Sequence, residues 1–442
     1  MLTLAAFIFV IGVLITIHEA GHFAMARILG APVEVFSIGF GKRLWGFERG
    51  GTDYRISLVP LGGYVRILGL GPDESDVVGD DGADDIELLP RWKRTLILLA
   101  GPITNIVAAV GFVALAFVIG IEVQAYLDDP PVVGWVEPGS GADLAGIREG
   151  DLVRAVQGTP SEHWRDLEVA LLTAGGGEVV LTIDREGSVS EVPVTLGIDY
   201  LYGFGISGIK PFLDSVVHPR GGGPAAGAGV LAGDRIVAVN DQPVTQYYEL
   251  PLLIEPHPGA EITLDVIRGG DRLSFDLTTM DEAGSGKIGV VPLFPTVVET
   301  LGVGPAIKAG FTECHRMTIQ TFQVIGRLLT RKASIRQVSG PVGIAQISGE
   351  AARSGVEALI MLMGIISLQL GIFNLLPIPI LDGGHLTVIA VETVIRRDLP
   401  LKVKERILEV GFYLLILLMV VVLFNDIVRI LPENVRQFIF RG

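Results

Sequence analysis

The chain has 442 residues, a net charge of −15 and a mean hydropathy of +0.53, although 19% of its residues are charged. That mixture implies membrane spans joined to a soluble region, and the acidic balance excludes an ordinary nucleic-acid binder, which carries a basic face. The single cysteine, Cys314, excludes an intrachain disulfide and a cysteine-based zinc site, leaving histidine and carboxylate as candidate ligands.

The first predicted element is a membrane span over residues 1–28. Met1 to Ile17 carries no ionisable side chain. The run is not a signal peptide, because it lacks a basic leading region and carries His18-Glu19-Ala20-Gly21-His22 near its end. On a helix His18 and His22 lie one turn apart on one face and can bind one metal ion. Glu19 beside them is placed to take a proton from a metal-bound water. Ionisable groups at membrane depth are costly and usually functional, which favours this reading over two histidines satisfied by helix contacts.

Residues 29–94 read as a connection rich in Lys and Arg. Within it Asp53–Pro60 and Leu61–Ile67 predict a β-hairpin turning at Gly62-Gly63. Beside a membrane site such an element can dip into the bilayer and offer a strand edge to an unwound substrate; a plain surface hairpin is the alternative. The acidic, glycine-containing run at 73–87 reads as a solvated loop. A second span is predicted over 95–121.

Residues 122–295 contain an internal repeat. Ala145-Gly146-Ile147-Arg148-Glu149-Gly150-Asp151 matches Ala228-Gly229-Val230-Leu231-Ala232-Gly233-Asp234, and Pro160 matches Pro243 at the same spacing of 83 positions (228 minus 145). Each copy has a Gly-Asp turn, an alternating apolar strand, a helix (Trp164–Thr173 and Tyr247–Glu255) and two further strands. The pair resembles tandem PDZ domains, divided at 122–199 and 200–295. PDZ domains take peptide C-termini by strand addition; Pro130–Gly134 and Pro211–Leu213 approximate their carboxylate loops only loosely. Peptide capture and a size-filtering spacer therefore both remain open.

Residues 296–356 predict an amphipathic helix region, carrying Ile307, Phe311, Ile319 and Phe322 on one side and Lys308, Glu313 and Arg316 on the other. It either lies on the outer membrane face or is a soluble core helix. His315, like His163, His218 and His257, lacks ligand-like spacing and reads as structural. A third span covers 357–382, a connection 383–405, a fourth span 406–431 and a tail 432–442. The basic residues of 29–94 and 383–405 place both connections in the cytoplasm. Both termini and the repeat then lie outside, with the His-Glu motif near the inner face. In Asn374-Leu375-Leu376-Pro377-Ile378-Pro379-Ile380-Leu381-Asp382-Gly383-Gly384-His385 the prolines break the third span. Asp382, at the same depth as His18 and His22, is the best candidate for a third ligand.

Together with Pro60–Val65, Ala100-Gly101-Pro102-Ile103-Thr104-Asn105 and Ser339–Ala345, these motifs make nearly the whole chain resemble the site-2 protease family of intramembrane zinc metalloproteases. The expected fold is a four-span helical membrane protein with a cytoplasmic-side re-entrant hairpin and two tandem extracytoplasmic PDZ domains. The resemblance implies a bacterial inner-membrane protein in which His18, His22 and Asp382 bind Zn2+ and Glu19 is the catalytic base. Asn374, Gly62 and Gly63 would hold the unwound substrate. It further implies single-span membrane-protein substrates, such as an anti-sigma factor or a remnant signal peptide, with membrane lipid around the protein and no nucleic-acid partner. His385 reads as supporting the site rather than as a ligand, and Asn105 receives no role. A metal transporter and a non-catalytic peptide-binding scaffold are the competing classes; four spans with one PDZ pair offer the first neither several polar spans nor inverted repeats, and the second leaves Glu19 unexplained.

Overall fold

The computed structural model describes residues 2–70, 89–198, 205–282, 284–330 and 340–430; the acidic run at 73–87 lies outside them. The chain divides into two compact units, one formed by Met1–Ile121 with most of the chain after Glu299, the other by Glu122–Val298.

Among the described residues four helices of the first unit are long and apolar enough to cross a membrane. They are Leu2–Ile28, Arg91–Ile119, Val356–Leu375 and Leu401–Ile430. Small residues let these helices approach closely, as van der Waals packing in lipid requires. A Cβ on Gly21 would lie 2.6 Å from the Ala100 carbonyl oxygen, and one on Gly371 would lie 2.9 Å from that of Pro102. The second span thus touches both the first and the third, and it becomes the wall on which the site is built.

Several segments depart from the sequence expectation; the third span, for one, ends at Leu375 rather than at 382. The second span begins four residues early, at Arg91. Its first turn holds Arg91, Lys93 and Arg94, whose long stems can lie along the apolar surface while their heads find polar partners. The fourth span begins five residues early, at Leu401, and contains Asp426, which is buried. That carboxylate accepts N–H bonds from Gly340, Val342 and Gly343, at 2.9–3.1 Å, satisfying the first amides of the helix Pro341–Ser354. The expected plain connection at 383–405 contains a further helix, Asp382–Ile395, which opens directly on Asp382.

The expected hairpin over 53–67 is corrected. Thr52–Ile67 is one long strand whose partner is Val33–Arg49, and the tight turn is Gly50-Gly51, with φ of +61° and +78°. Two glycines in the left-handed region match the twist of a two-residue hairpin loop. The sheet then curls. Residues 33–38 have partners in 63–67 and also in 53–56, while 53–57 also partner 43–49. The two halves of the expected hairpin therefore flank 33–38 instead of pairing with one another. Leu58–Gly62 carries the chain from one flank to the other.

In the second unit the repeat is visible as two sheets with four strands in matching order, Thr159–Pro160, Leu152–Val156, Gly177–Arg185 and Ser188–Ile198 corresponding to Gln242–Pro243, Asp234–Val239, Glu261–Arg268 and Asp271–Thr278. Thr159–Pro160, Leu152–Val156, Gly177–Arg185, Ser188–Ile198 and Gly205–Ile206 are neighbours in one sheet. In the other, Asp271–Thr278, Glu261–Arg268, Asp234–Val239, Val216–Pro219 and Val290–Pro292 are neighbours. Each sheet buries its own apolar cluster, around Leu167, Leu181 and Ile183 in the first and Leu250, Leu264 and Ile236 in the second. Equivalent ion pairs staple each Gly-Asp turn to its hairpin. Arg185 binds Asp151 through Nε and Nη2 at 2.6 and 2.7 Å and the Gly146 carbonyl at 2.8 Å. Arg268 repeats this on Asp234, at 2.7 and 2.6 Å, and on Gly229, at 2.7 Å.

The division at 199/200 moves. Ser207, Gly208 and Lys210 accept backbone bonds from Ala142, Glu137 and Gly134, and Ile209 belongs to the first apolar cluster. Residues 205–210 therefore complete the first module, because without them these amides and carbonyls would be left unpaired. Pro130–Gly134 and Pro211–Leu213, read as separate carboxylate loops, meet each other: a Cβ on Gly134 would lie 1.9 Å from the Phe212 nitrogen.

Candidate metal centre

His18 and His22 are buried on one face of the first span, their rings edge-to-face with centroids 4.7 Å apart. Their Nε2 atoms are 3.1 Å apart. Asp382 arrives from the far side of the chain. The third span ends at Leu375, the two prolines follow, and Ile380 sits at φ +84°, a conformation a β-branched residue rarely adopts. The helix that then begins at Asp382 sets Oδ2 3.1 Å from His18 Nε2 and Oδ1 3.5 Å from His22 Nε2. Among the described residues, this trio is the one group of three histidines or acids whose ligand atoms all lie within 4.8 Å of one another.

These residues fit a metal ion. Oδ2 of Asp382 is buried and accepts no well-formed hydrogen bond although it faces a ring nitrogen. A desolvated carboxylate oxygen beside two imidazole nitrogens is a costly arrangement unless a cation sits among them. Two neutral imidazoles and one carboxylate form the three-ligand set that leaves a fourth zinc position open. The opposite wall is kept bare. A Cβ on Gly101 would lie 2.3 Å from His22 Nε2 and 2.9 Å from His18 Cε1. Only glycine gives the imidazoles that room.

The trio opens on a cavity of about 480 Å³. Glu19 lines it, half-buried, next to the two histidines in sequence. Gly63 lies over Glu19, where an added Cβ would be 3.6 Å from Glu19 Cγ. Gly62 has φ +115°, and a Cβ there would strike Phe40 at 2.4 Å. Asn374 and His385 also face the cavity. All seven expected site residues are thus brought to one place.

Sequence reading missed other lining groups. Phe40 comes from the unforeseen strand. At another part of the wall stand Arg94, Glu392 and Lys404. Glu392 is fully buried, pairs with Lys404 at 2.7 Å and accepts the Leu399 amide at 2.9 Å. Arg94 approaches it only to 3.9 Å. No pattern in the sequence links these three, because they meet only through the helix at Asp382–Ile395.

The model of peptidase family M50 matches residues 6–418. The chain belongs to peptidase family M50. Relatives of this peptidase align along their whole length. The regulator of sigma-E protease RseP of Escherichia coli K12 is 35% identical over 453 residues, covering 97% of this chain and 98% of the relative. A putative zinc metalloprotease of Neisseria meningitidis is 33% identical over 464 residues, covering 98% and 100%. A putative zinc metalloprotease of Vibrio cholerae is 33% identical over 450 residues, covering 96% and 98%. The family resemblance read from the motifs is borne out.

Proposed function

We propose that this M50 peptidase is a zinc metalloprotease that cuts peptide bonds within transmembrane segments of single-span proteins, anti-sigma factors among them, as the names of its relatives suggest. The observation that carries the reading is the convergence of His18, His22 and Asp382 beside Glu19 on a cavity walled by apolar helices. Membership in a peptidase family favours hydrolysis over the transport and scaffold readings.

His18, His22 and Asp382 hold the zinc. When bound, it polarises the scissile carbonyl and acidifies water. Glu19 takes a proton from the attacking water and passes it to the departing amine, as a carboxylate within reach of both can do. The backbone around Gly62 and Gly63 presents a strand edge above Glu19, and an extended substrate segment pairs with it by strand addition. Such a segment must first be unwound, since a helix keeps its peptide groups in its own hydrogen bonds. Asn374, in the last turn of the third span and facing the same cavity, offers an amide to the same segment.

The protein resides in the bacterial inner membrane, with the Lys/Arg-rich connections in the cytoplasm and both termini outside. Residues 122–298 then form two extracytoplasmic PDZ domains. Four strands in matching order, 159–160, 152–156, 177–185 and 188–198 against 242–243, 234–239, 261–268 and 271–278, and the matched Asp-Arg staples support that assignment. The domains exclude bulky ectodomains or read a C-terminus left by an earlier cut.

The test is cleavage of a single-span reporter with a short ectodomain by purified wild type and Glu19→Gln, with zinc quantified in each. Wild-type cleavage, a loss of 100-fold or more in Glu19→Gln (on the order of a general base's contribution), and equal zinc in both are expected. Zinc without cleavage by wild type across several reporter spans would overturn the reading.

A further inference from the structure

Asn105 is fully buried in the second span, and its side-chain amide stands 3.2 Å from Nδ1 of His18. Its backbone carbonyl accepts the Ser367 hydroxyl at 2.8 Å, which ties the position to the third span. As placed, the amide Nδ2 faces the ring and Oδ1 is buried without a partner. The two ends of an amide are nearly the same shape, so the chemistry of the neighbours must decide which faces which.

His22 shows the pattern required. Its Nδ1 lies 2.8 Å from the Ile97 carbonyl. A carbonyl only accepts, so Nδ1 carries the proton and Nε2 keeps its lone pair for a metal. His18 presents Nε2 to the same point, 3.1 Å from Asp382 Oδ2. An amide N–H donated to its Nδ1 would force the proton onto Nε2 and remove the ligand lone pair. An amide oxygen there would accept Nδ1–H and leave Nε2 free.

We propose that Asn105 is the positioning residue of the metal centre. Its amide oxygen accepts the Nδ1 proton of His18 and fixes the ring in the ligating tautomer. The inference rests on the zinc reading above. It gives His18 and His22 equivalent supports from one helix, a main-chain carbonyl at Ile97 and a side-chain carbonyl at Asn105. Such outer partners hold ring orientation and raise ligand basicity.

The experiment measures zinc affinity of the full-length purified protein by chelator competition, with thermal unfolding of each variant as the check on folding. Asn105→Leu keeps the shape and removes the acceptor; zinc affinity should fall by about 10- to 100-fold. Asn105→Asp keeps an oxygen acceptor and offers no N–H; affinity should stay within about threefold of wild type or improve, the expected rescue by an acceptor. Loss of zinc in folded Asn105→Asp would show that the N–H is what matters and would overturn the proposal. Full affinity in Asn105→Leu would overturn it as well. If Asn105→Leu does not fold, Asn105→Asp alone decides. Wild type that binds no zinc would instead overturn the zinc reading on which the inference stands.

Discussion

Gly101→Ala is the sharpest structural test of the metal centre. In an ordinary helix this change stabilises by about 1 kcal/mol, since alanine is the better helix former. Here the added Cβ lands 2.3 Å from His22 Nε2 and 2.5 Å from Cε1 of the same ring, against ordinary contact at 3.4 Å or more. The ring must retreat by about 1 Å, a large fraction of a Zn–N bond of about 2.0–2.1 Å. His22 cannot retreat freely, because Nδ1 is held by the Ile97 carbonyl at 2.8 Å on the same second span. Zinc affinity should therefore fall by about 100-fold or more, beyond what loss of an outer partner costs. Gly111, ten residues along the same helix, is the control, since a Cβ there meets nothing within 4 Å. Gly111→Ala should leave zinc and cleavage intact and raise the unfolding temperature slightly. The assay is zinc by chelator competition on both purified variants, with thermal unfolding alongside. Wild-type zinc affinity in Gly101→Ala would refute the packing argument and, with it, this placement of the second span against the first.

Two further outcomes follow from buried charges. Glu392→Gln leaves Lys404 and the nearby Arg94 without their carboxylate in a buried wall. Removing one partner of a buried ion pair costs about 3–5 kcal/mol, so the unfolding temperature in detergent should drop by several degrees while zinc content of the folded fraction is kept; an unchanged unfolding temperature would contradict the pairing. In the second unit, the hydrogen bonds from Arg185 hold the Asp151 carboxyl below the usual carboxylate range. A depressed folded-state value means that the pair stabilises fully above the unfolded value, about 3.9, and that this stabilisation fades as pH falls toward the folded value. Asp151→Asn should flatten the acid side of the stability curve of this unit, read from Trp135 and Trp164 fluorescence below about pH 5. A wild-type acid slope in the variant would show that Asp151 does not titrate with unfolding.

What could be read in the sequence follows the range of the forces involved. The four spans are legible because hydrophobic length is a local property, and the first ends at the residue that the structure gives, Ile28. His18 and His22 were legible because i and i+4 is a one-turn rule. Asp382 could be singled out only because a lone carboxylate beside broken helix stands out in an uncharged run. The sheet of residues 33–67 was misread through the wrong pair of glycines. Gly50-Gly51 and Gly62-Gly63 are equally plausible turns in a linear pattern. The choice between them is made by Val35 and Ser37, which are buried and take partners on both sides. Residues 205–210 were assigned to the wrong module for a related reason: their partners Gly134, Glu137 and Ala142 lie far back in the chain.

The same distinction explains why the chemistry was easier to name than its support. Each candidate ligand belongs to a short motif, but each outer partner comes from the second span: Ile97 for His22, Asn105 for His18, Gly101 for the space between them. These three positions span just over two turns, since a helix rises about 1.5 Å per residue. One helix face thus supplies a carbonyl, a gap and an amide in register with the two rings of the first span. The run Ile97 to Asn105 is therefore the mould in which the His-Glu motif is set. A change in the tilt of the second span would move all three supports together, so metal affinity and the packing of Gly21 and Gly371 against this span should rise and fall as one property.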